Sequence, residues 1–393
     1  MTSYHGRIIT YDSSGNLKDF VGYITVKDGI IKRVSKDKPL GEIVEYEDNI
    51  ILPGFIDTHI HLPQIGIRGK WSSNLLKWLE TYVFPEEKRF LDSQYAEKMA
   101  NWFFEELAKN GTTTALVFGP PNKESTEVAF DAAKRWKLRI FMGQTLMDQN
   151  VPEELITPAN RAVKDVKYMI KKYGKSYALT LRFAPACTME LMKKTSEIAR
   201  FHKIIIQTHI SEQVEEVKLV KKMFNNDYAK VYDLAGALYS KTVLAHGIHL
   251  NDVELKLINS RGSMISHCPS SNFFLHSGIM NINKMQRAGI EISLGSDIAG
   301  GAYINMLEVM RDAYYANPLS PSEILKILTV GGARTLHISD ITGTIETGKY
   351  ADFVVLDSPN EESTEDALAN LILYGNQRKI IATYSQGEEI WHR

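Results

Sequence analysis

Ile50-Ile51-Leu52-Pro53-Gly54-Phe55-Ile56-Asp57-Thr58-His59-Ile60-His61 is the stretch on which the fold turns. An apolar run breaks at Pro53-Gly54, resumes as a strand and closes on two histidines at i and i+2, positions that strand geometry points to the same side. Two imidazoles so placed bracket a divalent metal. Alone the pair is a weak signal, because a His-x-His on a strand is more often a pair of surface or satisfied histidines. His209, His246 and Asp297 change that weighting, since each ends another short apolar run, where a shared pocket draws its ligands.

From residue 54 onward the pattern alternates apolar strand, loop and amphipathic helix. Strands are expected at 54–61, 112–118, 139–146, 178–186, 203–209, 241–246, 263–267 and 291–297, with helices between them at 93–109, 124–136, 152–173, 188–202 and 252–260. Eight strands alternating with helices indicate an α/β fold of the (β/α)8 TIM-barrel type. Such a barrel gathers its functional groups at the C-terminal ends of its strands. His59, His61, Gln144, Arg182, His209, His246, His267 and Asp297 all stand there.

The flanks read differently. Short strands at 7–10, 21–26 and 30–34 are separated by turns such as Lys27-Asp28-Gly29, and a turn at 343–350 enters a strand, with another at 380–386. The expected organisation is therefore residues 1–53 and 343–393 joined as one small β-sandwich around a barrel at 54–342.

With 46 Lys+Arg against 47 Asp+Glu, a formal charge of -1 and no basic block, the 393-residue chain gives no sign of a nucleic-acid or anionic-membrane surface. Only Cys187 and Cys268 are present, far apart and outside any Cys-x-x-Cys pattern, which argues against a disulfide scaffold or zinc ribbon. The start lacks an apolar leader, and no stretch approaches the roughly 18 apolar residues of a membrane span. A soluble cytoplasmic protein is the expectation.

A catalytic zinc takes imidazole and carboxylate ligands and leaves one position for water. His59, His61, His209 and Asp297 supply that set, with His246 placed to hydrogen-bond beside it. Glu212, three residues after His209, stands at the pocket mouth, where it suits a general acid or base. A lone strand-end Asp is usually a cap or turn residue, and a Glu at a helix start is usually exposed. Their joint placement is what makes coincidence improbable.

The strand ending at His61, together with Thr208-His209-Ile210-Ser211-Glu212, Ala245-His246-Gly247, Ser266-His267-Cys268-Pro269, Gly295-Ser296-Asp297 and Gly348-Lys349-Tyr350-Ala351-Asp352, resembles the amidohydrolase superfamily over nearly the whole chain. Within it the likeness is greatest to the guanine deaminases, through His61-Leu62-Pro63-Gln64, the block from Trp78 to Phe90, Arg182-Phe183 and Cys268-Pro269-Ser270-Ser271-Asn272. The expected fourth strand carries no lysine that could bridge two metals, so the resemblance implies one zinc per chain. It also implies a homodimer and hydrolysis of guanine to xanthine and ammonia. Gln64, Arg182 and Phe183 would hold the purine, with His61, His209, Glu212 and Asp297 at its reacting end. Asp297 or Glu212 would take a proton from water attacking C2, Glu212 would protonate N3, and His246 would orient the water. The segments 66–73 and 183–187 depart locally from the family pattern, which bears on the purine contacts rather than on the metal site.

Another deaminase or chlorohydrolase of the superfamily, acting on an adenosine-like nucleoside, cytosine or a triazine, is the alternative. A non-catalytic barrel relative would be marked by lost metal histidines, and here all are present. Gly343 to Tyr350 nearly matches a phosphate-binding loop, but Tyr350 replaces the hydroxyl residue and a strand follows instead of a helix. His5, His202, His249, His276, His337 and His392 have no partner pattern, and His267 divides evenly between pocket rim and core.

Overall fold

The computed structural model describes residues 1–72, 74–357 and 363–393. Ser73 and residues 358–362, which fall in the segments 66–73 and 343–393 above, lie outside them. The chain opens with β1 (Thr2–Tyr11), β2 (Leu17–Lys27), β3 (Ile30–Ser35) and β4 (Glu42–Pro53), then passes through Gly54 directly into β5 (Phe55–His61). Gly54 is needed at this junction: a Cβ there would lie 2.4 Å from Thr113 Oγ1. β5 is buried at every position, as a parallel strand covered on both faces must be.

Seven further parallel strands follow, each after helical chain: β6 (Thr112–Gly119), β7 (Arg139–Leu146), β8 (Leu179–Leu181), β9 (Ile206–Ile210), β10 (Thr242–His246), β11 (Met264–His267) and β12 (Ile292–Leu294). They hydrogen-bond in chain order from β5 to β12, the (β/α)8 arrangement expected. Between β12 and β5 no backbone ladder forms among the described residues. That joint is closed by the Asp297 N–H to His59 O bond of 2.9 Å. Thr58 Oγ1 adds bonds to Ser266 Oγ, Ser293 Oγ and Leu294 O.

Both chain ends meet in the second sheet. After the barrel come β13 (Phe353–Asp357), β14 (Ile380–Ser385) and β15 (Glu388–His392), giving the order β15-β14-β13-β4-β1-β2-β3. The ladder folds over on itself: Ile31 N–H donates to Lys349 O and Ala351 N–H to Gly29 O, joining the β3 edge to the approach of β13. Inside the fold is a separate core, where Tyr4 stacks edge-on against Phe353 and Tyr384. No helix of the described residues is long and apolar enough to cross a membrane.

Several expected boundaries are corrected. The strand at 178–186 is only Leu179–Leu181, and Ala184–Ala186 is a 3-10 turn because Pro185 fixes φ and offers no N–H to a ladder. The helix at 152–173 starts at Ala159, since Pro158 disfavours a helical Thr157. The strand at 203–209 starts at Ile206, after Lys203 caps the preceding helix at φ +54°. The strand at 291–297 stops at Leu294, which frees Asp297 to turn into the barrel mouth. The 343–393 segment also contains a helix, Thr364–Tyr374, packed on the barrel helices Met306–Ala316 and Pro321–Lys326.

Candidate active site and metal centre

Four side chains able to hold a metal, His59, His61 and Asp297 buried and His209 partly so, converge at the C-terminal face of the barrel. His61 Nε2 lies 3.2 Å from His59 Nε2 and 3.1 Å from His209 Nε2, while Asp297 Oδ1 is 3.2 and 3.3 Å from the nitrogens of His59 and His61. Ligand atoms around a tetrahedral zinc at ~2.0–2.1 Å stand about 3.3 Å apart, so the set fits such an ion. The protonation states fit as well. Burial lowers His61 to about 3, and burial with the neighbouring imidazoles holds His209 well below the usual histidine range. Both are therefore neutral, as imidazoles that bind a metal must be. His209 Nδ1–H donates to Arg182 O at 2.5 Å, which leaves Nε2 bare for a metal. Burial would raise Asp297, but the adjacent His59 and His61 outweigh it and hold the carboxyl well below the carboxylate range.

The backbone pays for this convergence with strain. Ser211, His246 and Asp297 have φ of +49°, +73° and +51°, a region costly for side chains with a Cβ and concentrated at functional sites. Asp57 holds the first and last strands in register: it accepts from His59 N–H and Ser296 N–H at 3.1 Å and from Ser296 Oγ at 2.5 Å. Burial pushes this carboxyl up to about 6 despite those three donors.

Beside the metal cluster lie Glu212 and His246. His246 Nδ1 bonds Asn272 Oδ1 at 3.0 Å; with the proton on Nδ1, Nε2 is a bare acceptor, 3.5 Å from Glu212 Oε2 and 3.7 Å from Asp297 Oδ2. That nitrogen is buried without a partner, as expected where a reactant is to bond. Glu212 is only 3% exposed. Burial first, then the Asp297 charge, pushes it up to about 8, with the Ser277 hydroxyl pulling back. Behind it Glu216 accepts from the Glu212 N–H at 2.9 Å and from Tyr228 Oη at 2.5 Å.

These groups open on a cavity lined by His61, Gln64, Arg182, Phe183, His209, Glu212 and Asp297, with Leu75, Trp78, Leu79, Glu216, Leu275 and Gly300 completing it. Gln64 Oε1 is committed to the Ala299 N–H at 3.2 Å, which leaves its NH₂ as the free end. Arg182 is 2% exposed, and its Nη1 donates to both oxygens of Glu87, at 2.5 and 2.6 Å. Its guanidinium also lies 5.2 Å over the Phe84 ring.

A family model for the amidohydrolase family matches residues 50–390. The chain belongs to the amidohydrolase family. This amidohydrolase is similar to the guanine deaminase of Escherichia coli strain K12, 34% identical over 371 residues, with 89% of this chain and 84% of that protein covered. It is 31% identical to the guanine deaminase of Homo sapiens, covering 86% of this chain and 82% of that protein. Among solved structures, E. coli guanine deaminase superposes with a TM-score of 0.95 at 31% identity over 100% of both chains. The guanine deaminase of C. acetobutylicum, solved with guanine bound in its active site, gives 0.94 at 31% identity over 99% of this chain and 100% of that one. A zinc-containing atrazine chlorohydrolase from Arthrobacter aurescens shares the fold, with a TM-score of 0.89 at 21% identity over 99% of this chain and 95% of that one.

The residues singled out from the amidohydrolase sequence as ligands, proton carriers or purine contacts all meet at this one place. Gln144 and His267, at strand ends too, are buried outside the cavity lining, and burial lowers His267 to about 3. Glu212 lines the cavity and is buried, not the exposed helix-start residue that a Glu in that position usually is. The partners of these residues were missed: Glu87 behind Arg182, Asn272 behind His246, and Ser277 and Glu216 around Glu212. Glu87 carried one signal, an acid in the otherwise distinctive block from Trp78 to Phe90. Its partner is far off in the chain, at Arg182.

Proposed function

We propose that this amidohydrolase deaminates guanine hydrolytically, releasing xanthine and ammonia. The observation that carries the reading is the meeting, at one barrel mouth, of four side chains able to hold a metal with the buried carboxyl of Glu212. The likeness to enzymes named guanine deaminases supports the choice of substrate. His59, His61, His209 and Asp297 would hold one zinc per chain, which when bound lowers the pKa of water to about 7 and supplies a nucleophile at neutral pH.

The chain's own residues divide the proton work, because two carboxyls whose environments push them apart take opposite roles. Asp297 stays ionised; its Oδ2, turned towards His246, accepts a proton from the water whose oxygen attacks C2 of the purine. Glu212 starts protonated and gives its proton to N3. As the tetrahedral carbon collapses, the remaining hydroxyl proton returns to the Glu212 carboxylate as the C2 carbonyl forms, the C2–N bond breaks, the proton held by Asp297 passes to the departing nitrogen, and ammonia leaves with both carboxyls back in their starting states. His246 Nε2 accepts a hydrogen bond from the attacking water. Gln64 and Arg182 direct donors to the O6 edge, and Phe183 lies against the ring face. Donors so placed would meet the amino group of adenine, a mismatch that sites of this kind reject by about 10⁴–10⁵. The working form is a cytoplasmic homodimer.

Metal analysis coupled to a guanine-to-xanthine absorbance assay tests the reading directly. The expected result is one zinc per chain and ammonia release in step with xanthine. Ammonia release from an adenosine-like nucleoside, cytosine or a triazine, with none from guanine, overturns it. Arg182→Ala is expected to raise KM for guanine by about 10-fold or more, the scale of a lost charge-assisted hydrogen bond. A change no larger than that of an exposed arginine variant would remove Arg182 from substrate binding.

A further inference from the structure

Gln213 comes directly after Glu212 in the chain but turns its side chain into a different set of contacts. Buried at 6% exposure, its Oε1 accepts the Leu75 N–H at 3.1 Å, and its Nε2 donates to Leu275 O at 2.9 Å and to Ser277 Oγ at 3.2 Å. A backbone donor on one side and a backbone acceptor on the other leave this amide a single orientation. Ser277 Oγ, with one lone pair taken by the Gln213 amide, donates its hydroxyl proton to Glu212 Oε1 at 3.0 Å. Glu212 Oε1 is then an acceptor, and any proton on the carboxyl sits on Oε2, the oxygen facing His246.

The other end of the strap is equally placed. Leu75 opens the helical segment whose Leu75, Trp78 and Leu79 cover the cavity and whose Glu87 pairs with Arg182. Its N–H is one of the donors that a helix start leaves without an internal partner. Gln213 supplies that partner. One side chain thus joins the covering segment, the loop at Leu275–Ser277 and the acid.

We propose that Gln213 is a positioning residue: through Ser277 it keeps the proton of Glu212 on the oxygen facing the reactants, and it ties that orientation to the docked state of the 75–89 segment. The inference rests on the reading of Glu212 as proton donor to the substrate.

Steady-state kinetics of the zinc-loaded full-length chain test it. Ser277→Ala removes the hydroxyl between Gln213 and Glu212 but leaves Gln213 bonded to Leu75 and Leu275, and is expected to lower kcat about 10-fold or more, a part of the 10²–10⁴ that positioned proton transfer supplies, with KM within twofold. Gln213→Leu keeps the bulk, loses both links, and is expected to lower kcat comparably while raising KM severalfold. The kcat effects of the two changes should coincide in the double variant instead of multiplying, because both act along one chain. Ser277→Thr, which keeps the hydroxyl, should restore turnover. In a Glu212→Gln background Ser277→Ala should change the residual rate by less than twofold, an outcome that general loosening of the fold would not give. A Ser277→Ala enzyme within twofold of wild-type kcat, or effects that multiply, overturns the strap. Near-normal turnover by Glu212→Gln alone would instead overturn the role of Glu212.

Discussion

Glu212→Gln is expected to retain its zinc and lose turnover of guanine by 10²- to 10⁴-fold, the range that a positioned proton shuttle supplies. The metal should stay because Glu212 is not among the four clustered ligands, and Ser277 still finds an acceptor in the amide oxygen. Turnover should go because an amide cannot deliver a proton to N3. The pH profile gives the sign. Burial, then the Asp297 charge, lifts Glu212 up to about 8, so the wild-type enzyme carries the proton at neutral pH and loses it as pH rises through about 8. That alkaline fall should be missing from the variant's residual activity. Stability runs with the same linkage: a carboxyl raised from 4.5 to about 8 on folding contributes fully below pH 4.5 and loses that contribution as pH rises through about 8. The variant should thus gain stability relative to wild type in alkaline buffer. Near-normal turnover, or metal loss that accounts for the defect, would remove Glu212 from the mechanism.

Glu87→Ala should be the most destabilising single change near the pocket. It leaves the Arg182 guanidinium, 2% exposed, without its bidentate partner, and removing one member of a buried ion pair typically costs about 3–5 kcal/mol. Urea unfolding should register a loss of that size, and KM for guanine should rise with it because Arg182 is no longer aimed. Replacing both partners by apolar residues, Glu87→Leu with Arg182→Met, should recover most of the stability and none of the guanine affinity. That contrast separates holding the fold from holding the substrate. A single-variant loss under about 1 kcal/mol would mean that Arg182 finds water or another partner.

Legibility in the sequence divides along physical lines. His59 and His61 were readable because a strand's period of two is exact enough to place two rings on one side, and His209, His246 and Asp297 because a barrel sends strand ends to one face. Gln64, Arg182 and Phe183 came from family likeness, since nothing in their local sequence distinguishes a substrate contact from a loop bond or core residue. The pairings of Glu87, Asn272, Ser277 and Gln213 are not readable: each acts on a residue that its own sequence neighbourhood does not mention, even where, as for Glu87 and Asn272, the residue lies in a distinctive block. Among the elements, β8 is shorter than its pattern suggests, because apolar residues continue past Leu181 and only the rigidity of Pro185 turns the chain aside. The helix at Thr364–Tyr374 is hard to read because Leu373 and the exposed Tyr374 blur the apolar stripe of Ala367, Leu368, Leu371 and Ile372.

The joint where β12 meets β5 has the sparsest main-chain bonding in the barrel, and it is also where the metal set straddles the fold. His59 and His61 stand on one side of that joint and Asp297 on the other, with the Asp297 amide on the His59 carbonyl as its direct main-chain stitch. A cation seated among them would act as a rivet across that joint. Ion affinity and closure of the cylinder therefore strengthen together, and the chemistry of the mouth doubles as the clasp of the architecture.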